Sequence, residues 1–306
     1  LWTKETTMAN FISFTQAPVY LGTVETQVPQ TGIAGLSNLI AANSCDLSFD
    51  SSLDASKYLG KQPVSNDFFV TGPKTSKVSI SYIPLVGSNL LEGIQEAALL
   101  PFSLTGQFQS GHCIRVGDFL FKQCYLDSLG VQITPNSPVR LNAQFTSYDS
   151  SQVENDVYSG FSDSAGFVVS TNTGASYSAV HALAMNVSGS SYLPESKTDI
   201  TINYQMSRTP VYEIGSSRPK TVFLNAVSRQ TSISAENIGE VITFSGKSAV
   251  LNLKFAEFGR LMEESFDPAT DYRFRIDVTG KINSQNLSMS PGRVLEGKLS
   301  IVENIF

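Results

Sequence analysis

Polar and apolar residues alternate with period two along several stretches of this chain, which is the pattern of half-buried strands. Cys45, Leu47 and Phe49 alternate with Ser44, Asp46, Ser48 and Asp50, and Val78, Ile80 and Tyr82 alternate with Lys77, Ser79 and Ser81. Farther along, Ile200, Ile202, Tyr204 and Met206 stand against Asp199, Thr201, Asn203 and Gln205. Val139, Leu141, Ala143 and Phe145 face away from Arg140, Asn142 and Gln144, as Leu295, Gly297, Leu299 and Ile301 do from Glu296, Lys298 and Ser300. Sheets built from such strands have one greasy and one wet face, as antiparallel sheets commonly do. Ala179 to Val187 predicts a further strand with no clear equivalent earlier in the chain.

Turn and helix signals are fewer. Thr134-Pro-Asn-Ser137 and Ser290-Pro-Gly-Arg293 read as turns between paired strands, with Pro presetting φ and Asn or Gly tolerating φ > 0. Asn89-Leu-Leu-Glu92 caps a predicted short helix through Leu91, Ile94 and Ala98 that Pro101 closes. Leu251, Leu253 and Phe255 fit a strand, and Phe255, Phe258 and Met262 a helix, so a strand running into a helix is expected there.

The alternating segments come in two copies. Residues 46–79 align without a gap on residues 201–234: Asp46-Leu47-Ser48-Phe49 on Thr201-Ile202-Asn203-Tyr204, and Gly60 on Gly215 (215 − 60 = 155). Val131 to Asn136 aligns on Leu287 to Gly292 (291 − 135 = 156 at the prolines). A repeat this long is a whole domain rather than a solenoid unit. The expected organisation is a first domain at 1–149, carrying an N-terminal extension, and a linker plus second domain at 150–306. The linker is the Ser-, Gly- and Asn-rich stretch from Asp149 to Ser178.

At 306 residues each copy is long enough for its own core. Residues 1–150 hold 8 Lys/Arg and 11 Asp/Glu, and residues 151–306 hold 13 and 16, so each half carries −3. An even, mildly acidic charge argues against tight binding to phosphate backbones, which needs clustered cations. Cys45, Cys113 and Cys124 form no CxxC pair, and an odd count makes no disulfide framework, so they read as buried thiols. No apolar run approaches the roughly 20 residues of a membrane span. Leu1 to Thr7 has no apolar signal-peptide core, and Met8-Ala9 reads as a start preceded by an upstream extension.

Chemistry is poorly supported. The two histidines, His112 and His181, lie in no metal-ligand spacing. Gly160-Phe-Ser-Asp-Ser164 lacks the second Gly of a nucleophile elbow. There is no P-loop and no GxGxxG, the Glu263-Glu264 pair reads as solvated, and the Asn186-Val-Ser188 and Asn286-Leu-Ser288 glycosylation patterns read as chance matches. An enzyme is not expected, and neither a cofactor nor a metal. What the copies share is a long polar loop: Tyr58, Leu59, Gly60 and Pro63 in the first, Tyr212, Ile214, Gly215 and Pro219 in the second. Both loops exceed what a hairpin needs, and long loops between rigid strands concentrate interactions.

An alternating strand, a loop with (Val/Tyr)-x-(Leu/Ile)-Gly and Pro, and a strand ending in Thr71-Gly-Pro-Lys-Thr-Ser-Lys-Val-Ser-Ile80 resemble bacteriophage tail tube proteins. Phe121 to Ile133, with its turn and returning strand, is similar to their last hairpin; the resemblance covers about 36–148 and 193–303. It implies a mainly β chain of two tandem-duplicated antiparallel β-sandwich or barrel domains, each with a short flanking helix. It further implies edge-to-edge pairing of inner sheets into a ring, with the long loops reaching the next ring. Three chains of two domains each give homotrimeric, pseudo-six-fold rings stacking into a tube, assembled in the host cytoplasm and placed in the virion. The partners implied are other copies, other tail proteins and passing DNA. The channel would be lined by Asp46, Ser48, Asp50, Arg140, Asn142 and Gln144 from one copy. Thr201, Asn203, Gln205, Glu296, Lys298 and Ser300 line it from the other. The alternatives are a baseplate hub or tube-extending ring, and, in another class, a duplicated β-sandwich that binds carbohydrate as an adhesin does. The last would need exposed aromatics on one sheet face, and the only Trp, Trp2, lies outside both copies.

Overall fold

A computed structural model describes residues 19–23, 38–40, 42–50, 53–55, 68–70, 75–83, 111–116, 119–135, 137–149, 177–187, 190–192, 196–216, 218–236, 246–257, 265, 267, 271–272, 274–288, 291 and 296–304. All regular structure among them is β. The strands of the first half are β1 (Val19–Thr23), β2 (Asn38–Ile40), β3 (Ala42–Asp50), β4 (Leu53–Ala55), β5 (Phe68–Val70), β6 (Thr75–Tyr82), β7 (His112–Val116), β8 (Phe119–Ile133) and β9 (Arg140–Asp149). Those of the second are β10 (Tyr177–Val187), β11 (Ser190–Tyr192), β12 (Ser196–Tyr212), β13 (Pro219–Glu236), β14 (Ser248–Glu257), β15 (Phe274–Ser288) and β16 (Glu296–Asn304). The expected first helix lies outside the described residues, as does the stretch beyond Glu257; up to that point the segment from Ser248 is strand.

Pairing is antiparallel throughout, and 14 strands join in one branched sheet while β4 and β5 pair separately. The first half runs β3-β6-β9-β8-β7-β1-β2 and the second β12-β13-β16-β15-β14-β10-β11. Position for position, the two orders correspond. β10 therefore stands where β1 stands, which corrects the expectation that Ala179 to Val187 has no counterpart. The counterpart was hidden because Val19–Thr23 shares little beyond strand composition with it.

Correspondence extends to register. In the β8/β9 pair, Leu126↔Phe145 is followed by Ser128↔Gln144, leaving Asp127 as a bulge. In β15/β16, Ile282↔Ile301 is followed by Ser284↔Ser300, leaving Asn283 as the bulge (283 − 127 = 156). A bulge re-aims a strand at a fixed point, so its recurrence marks equivalent bends. The gapless alignment needs one correction. Asp50 pairs Thr75 and its counterpart Gln205 pairs Ser228, so the connection shortens by two residues in the second copy (75 − 50 = 25, 228 − 205 = 23). Ile80, not Val78, therefore occupies the place of Ile233. An even slip keeps every side chain on its face, which is why the alternation alone did not reveal it.

The expected long loop at 205–221 is also corrected. β12 continues to Tyr212 and β13 starts at Pro219, because Val211, Tyr212, Val222 and Phe223 are β-branched or aromatic and pair as a ribbon. The turn proper is Glu213 to Ser216, where the Ser216 N–H donates to the Glu213 carbonyl at 3.0 Å. Gly215 takes φ 85° there, the third-position geometry of a type II turn. β4 and β5 hold the same place in the first copy.

The apolar faces gather into one cluster that draws on both halves, from Val78, Leu129, Val131 and Phe145 to Ile202, Tyr204, Leu253 and Ile301. The halves are joined where β12 docks on β8, from Ile200↔Ile133 to Gln205↔Ser128. β8 gives one edge to β9 and shares the other end to end between β7 and β12. A side-chain clasp closes this internal junction. Arg208 donates from Nε to the Leu126 carbonyl at 3.1 Å and lies 5.3 Å from the centre of the Tyr125 ring. Burial pushes the Asp127 carboxyl above its usual range, against the pull of its Thr146 hydrogen bond and of Arg208 and Lys77.

Candidate assembly and channel surfaces

Cross-strand partners share a face, so register decides which polar residues meet. Ser48 pairs Lys77, Ser79 pairs Gln144, Asn142 pairs Gly130, Gly130 pairs Asn203, Asn203 pairs Gln230, and Ser232 pairs Ser300. Ser300 in turn pairs Ser284, and Lys298 pairs Asn286. All twelve channel candidates thus fall on one uninterrupted face eight strands wide: Asp46, Ser48 and Asp50 on β3, Arg140, Asn142 and Gln144 on β9, Thr201, Asn203 and Gln205 on β12, and Glu296, Lys298 and Ser300 on β16. Ser300 is buried, donated to by the Gln230 amide at 2.9 Å, while the rest are exposed or half-buried. The charged residues this face carries include Asp46, Asp50, Asp199 and Glu296 against Lys77, Arg140, Lys281 and Lys298. The other positions are mostly Ser, Thr, Asn and Gln, with Gly130 and Val302 among them.

Of the loop candidates, Tyr58, Leu59, Gly60 and Pro63 lie outside the described residues. Tyr212 is half-buried at the end of β12, Pro219 is buried at the start of β13, and Ile214 with Gly215 forms the fully exposed tip. Glu213 and Lys220 pair across the base of the turn, both well exposed.

Among the described residues, two strand edges at the borders of this face lack a partner strand. Among the described residues β3 pairs only β6. β15 leaves β14 after Lys281, exchanges hydrogen bonds with Gly246 and Lys247 at Ile282, and from Ser284 to Ser288 pairs, among the described strands, with β16 alone. Phe49, on the first edge, is 55% exposed although its counterpart Tyr204 is 1% exposed, and Leu287, on the second, is 38% exposed. The sequence reading missed both as surface residues. The signal was present, because Leu287 aligns on the buried Val131, but alternation places a residue on a face and cannot tell a covered edge from an open one.

Burial, and secondarily the Asp46 carboxylate, push the Cys45 thiol up to about 11. Alkylation requires the thiolate, so the iodoacetamide reaction of Cys45 is expected to rise about tenfold per pH unit from pH 7 to pH 10 without levelling. Peptide mapping by mass spectrometry follows it, and a plateau near pH 8.5 would show an ordinary exposed thiol.

No protein-family model and no curated protein matches this chain. Among the described residues, no group of His, Cys, Asp and Glu comes together as a metal site.

Proposed function

We propose that this chain is a structural virion protein, a two-copy tail tube subunit whose homotrimeric, pseudo-six-fold rings stack into a tube that conducts DNA. The observation that carries the reading is the polar face: the wet sides of both copies form one surface, continuous across the β8–β12 junction and ending in edges that no other described strand covers. A sheet with exposed edges is an aggregation liability unless something closes it, and closure into a ring removes the edges. Two copies per chain make three chains equivalent to six positions, which is the ring the tail-tube resemblance implies. The face is near charge balance and rich in short hydroxyl and amide side chains, so passing phosphates would release few counterions and be weakly held.

The ribbon suits a ring-to-ring contact, because it gathers three exposed large apolar residues, Val211, Ile214 and Phe223, and grouped exposed apolar side chains mark interaction surfaces. Negative-stain imaging of concentrated protein is expected to show stacked rings, and the Ile214→Asp variant single rings. Intact protein that stays monomeric at all concentrations would overturn the tube reading; Ile214→Asp tubes as long as the parent's would remove the tip from stacking.

A further inference from the structure

The internal junction shows how one copy of this sheet accepts another, and the outer edges repeat its two halves. β12 residues 200–205 dock on β8 residues 128–133. The counterpart of the docking strand is β3 (200 − 155 = 45), and that of the accepting strip is the end of β15 (284 − 128 = 156). Both counterparts have an unpaired edge among the described residues. We infer that β3 of one chain pairs antiparallel with β15 of a second copy, in the register of the internal junction. This rests on the proposed self-assembly and names the edges that perform it.

Transferring Ile202↔Val131, Asn203↔Gly130 and Tyr204↔Leu129 sets Leu47 opposite Leu287, Ser48 opposite Asn286 and Phe49 opposite Gln285. The parities agree: Leu287 faces the side of Leu299 and Gly297, and Leu47 that of Val78. The transfer therefore puts Leu47 against Leu287 and Ser48 against Asn286, with Phe49 over Gln285 as the one mixed pair of the three. It also brings together Phe49 and Leu287, two of the large apolar side chains the single chain leaves exposed. Size is exchanged rather than lost across the polar pair. Internally, Asn203 reaches over Gly130, where an added Cβ would lie 3.2 Å from its Oδ1; between chains the small Ser48 would meet the larger Asn286.

The clasp, by contrast, is not repeated. Leu53 takes the sequence place of Arg208 and Asn283 that of Asp127. The junction between chains is accordingly the one that opens on dilution, while the internal one stays shut.

The test uses full chains carrying Ser48→Cys or Asn286→Cys, made separately, mixed, assembled and oxidised. A disulfide between positions 48 and 286, found by peptide mass spectrometry only in the mixture, is the expected result. The pair Ser48→Cys with Ser284→Cys, two residues out of register, should cross-link about tenfold less because such Cα atoms lie beyond disulfide reach. Leu287→Lys, changed at an exposed side chain, should remain folded by circular dichroism and lose assembly. Rings that form without the 48–286 link, or Leu287→Lys chains that assemble like the parent, would overturn the pairing and leave the ring reading standing. Chains that never associate would overturn both. The link appearing in open fibres would support the pairing and refute the closed ring.

Discussion

Glu303→Gln is expected to lower the stability of the folded chain by about 3 kcal/mol, through the guanidinium it leaves behind. Arg229 comes from the apolar side of β13, between Val227 and Thr231, and is 3% exposed. Its Nε donates to the Glu303 carboxylate at 3.0 Å, one terminal nitrogen also reaches that carboxylate, and the same nitrogen donates to the Asp277 carbonyl at 2.8 Å. The cation lies 5.8 Å from the centre of the buried Tyr204 ring. Burial works against the charged form of Arg229, and Tyr204 with Glu303 more than offsets it. A neutral amide at 303 would still accept a hydrogen bond but would supply no counter-charge. The reverse change, Arg229→Met, should cost less, because the Glu303 side chain is 23% exposed and can turn toward water. The double variant Arg229→Met, Glu303→Met should recover part of the loss, since an apolar pair avoids desolvating two charges. Urea midpoints for the three variants decide it. A midpoint for Glu303→Gln equal to that of the parent would mean that the pair holds nothing together.

Much of this architecture was legible because strand alternation is a local signal. Each predicted strand around 45–50, 77–82, 139–145, 199–206 and 295–301 exists, and their polar sides do share a face. What escaped was set by partners distant in sequence. Arg208 reads as a loop residue, and nothing local says that it reaches the Leu126 carbonyl across the junction. Arg229 lies on the buried side of β13, where Glu303 neutralises it, and no local signal ties two residues 74 positions apart. The hairpin from Ser207 to Lys220 was taken for a loop on its Pro and Gly, although only Glu213 to Ser216 turns. Pro210 and Pro219 lie in the ribbon itself. Open edges were least legible of all, since an edge is a property of who pairs with whom.

Asp46→Lys combined with Asn203→Lys is expected to turn the proposed channel face into one that grips DNA. Both positions lie on the polar face, one on the strand that starts it and one at the internal junction beside Gly130. The substitutions add three positive charges per chain, two at position 46 and one at 203. If only three of the six lysines added in a trimeric ring engage phosphates, the logarithm of the binding constant should fall with that of salt with a slope of about −2.7. That is a loss of roughly 40-fold between 50 and 200 mM salt. In assembled particles the variant should release DNA more slowly at low salt, the delay fading as added ions screen the attraction. Glu213→Lys, which raises charge at the hairpin tip and outside this face, controls for charge alone. Unchanged release by correctly assembled double-variant particles at low ionic strength would place the polar face on the outside of the ring. A delay equal to that of Glu213→Lys would show that any surface cation holds DNA, whichever way the face points.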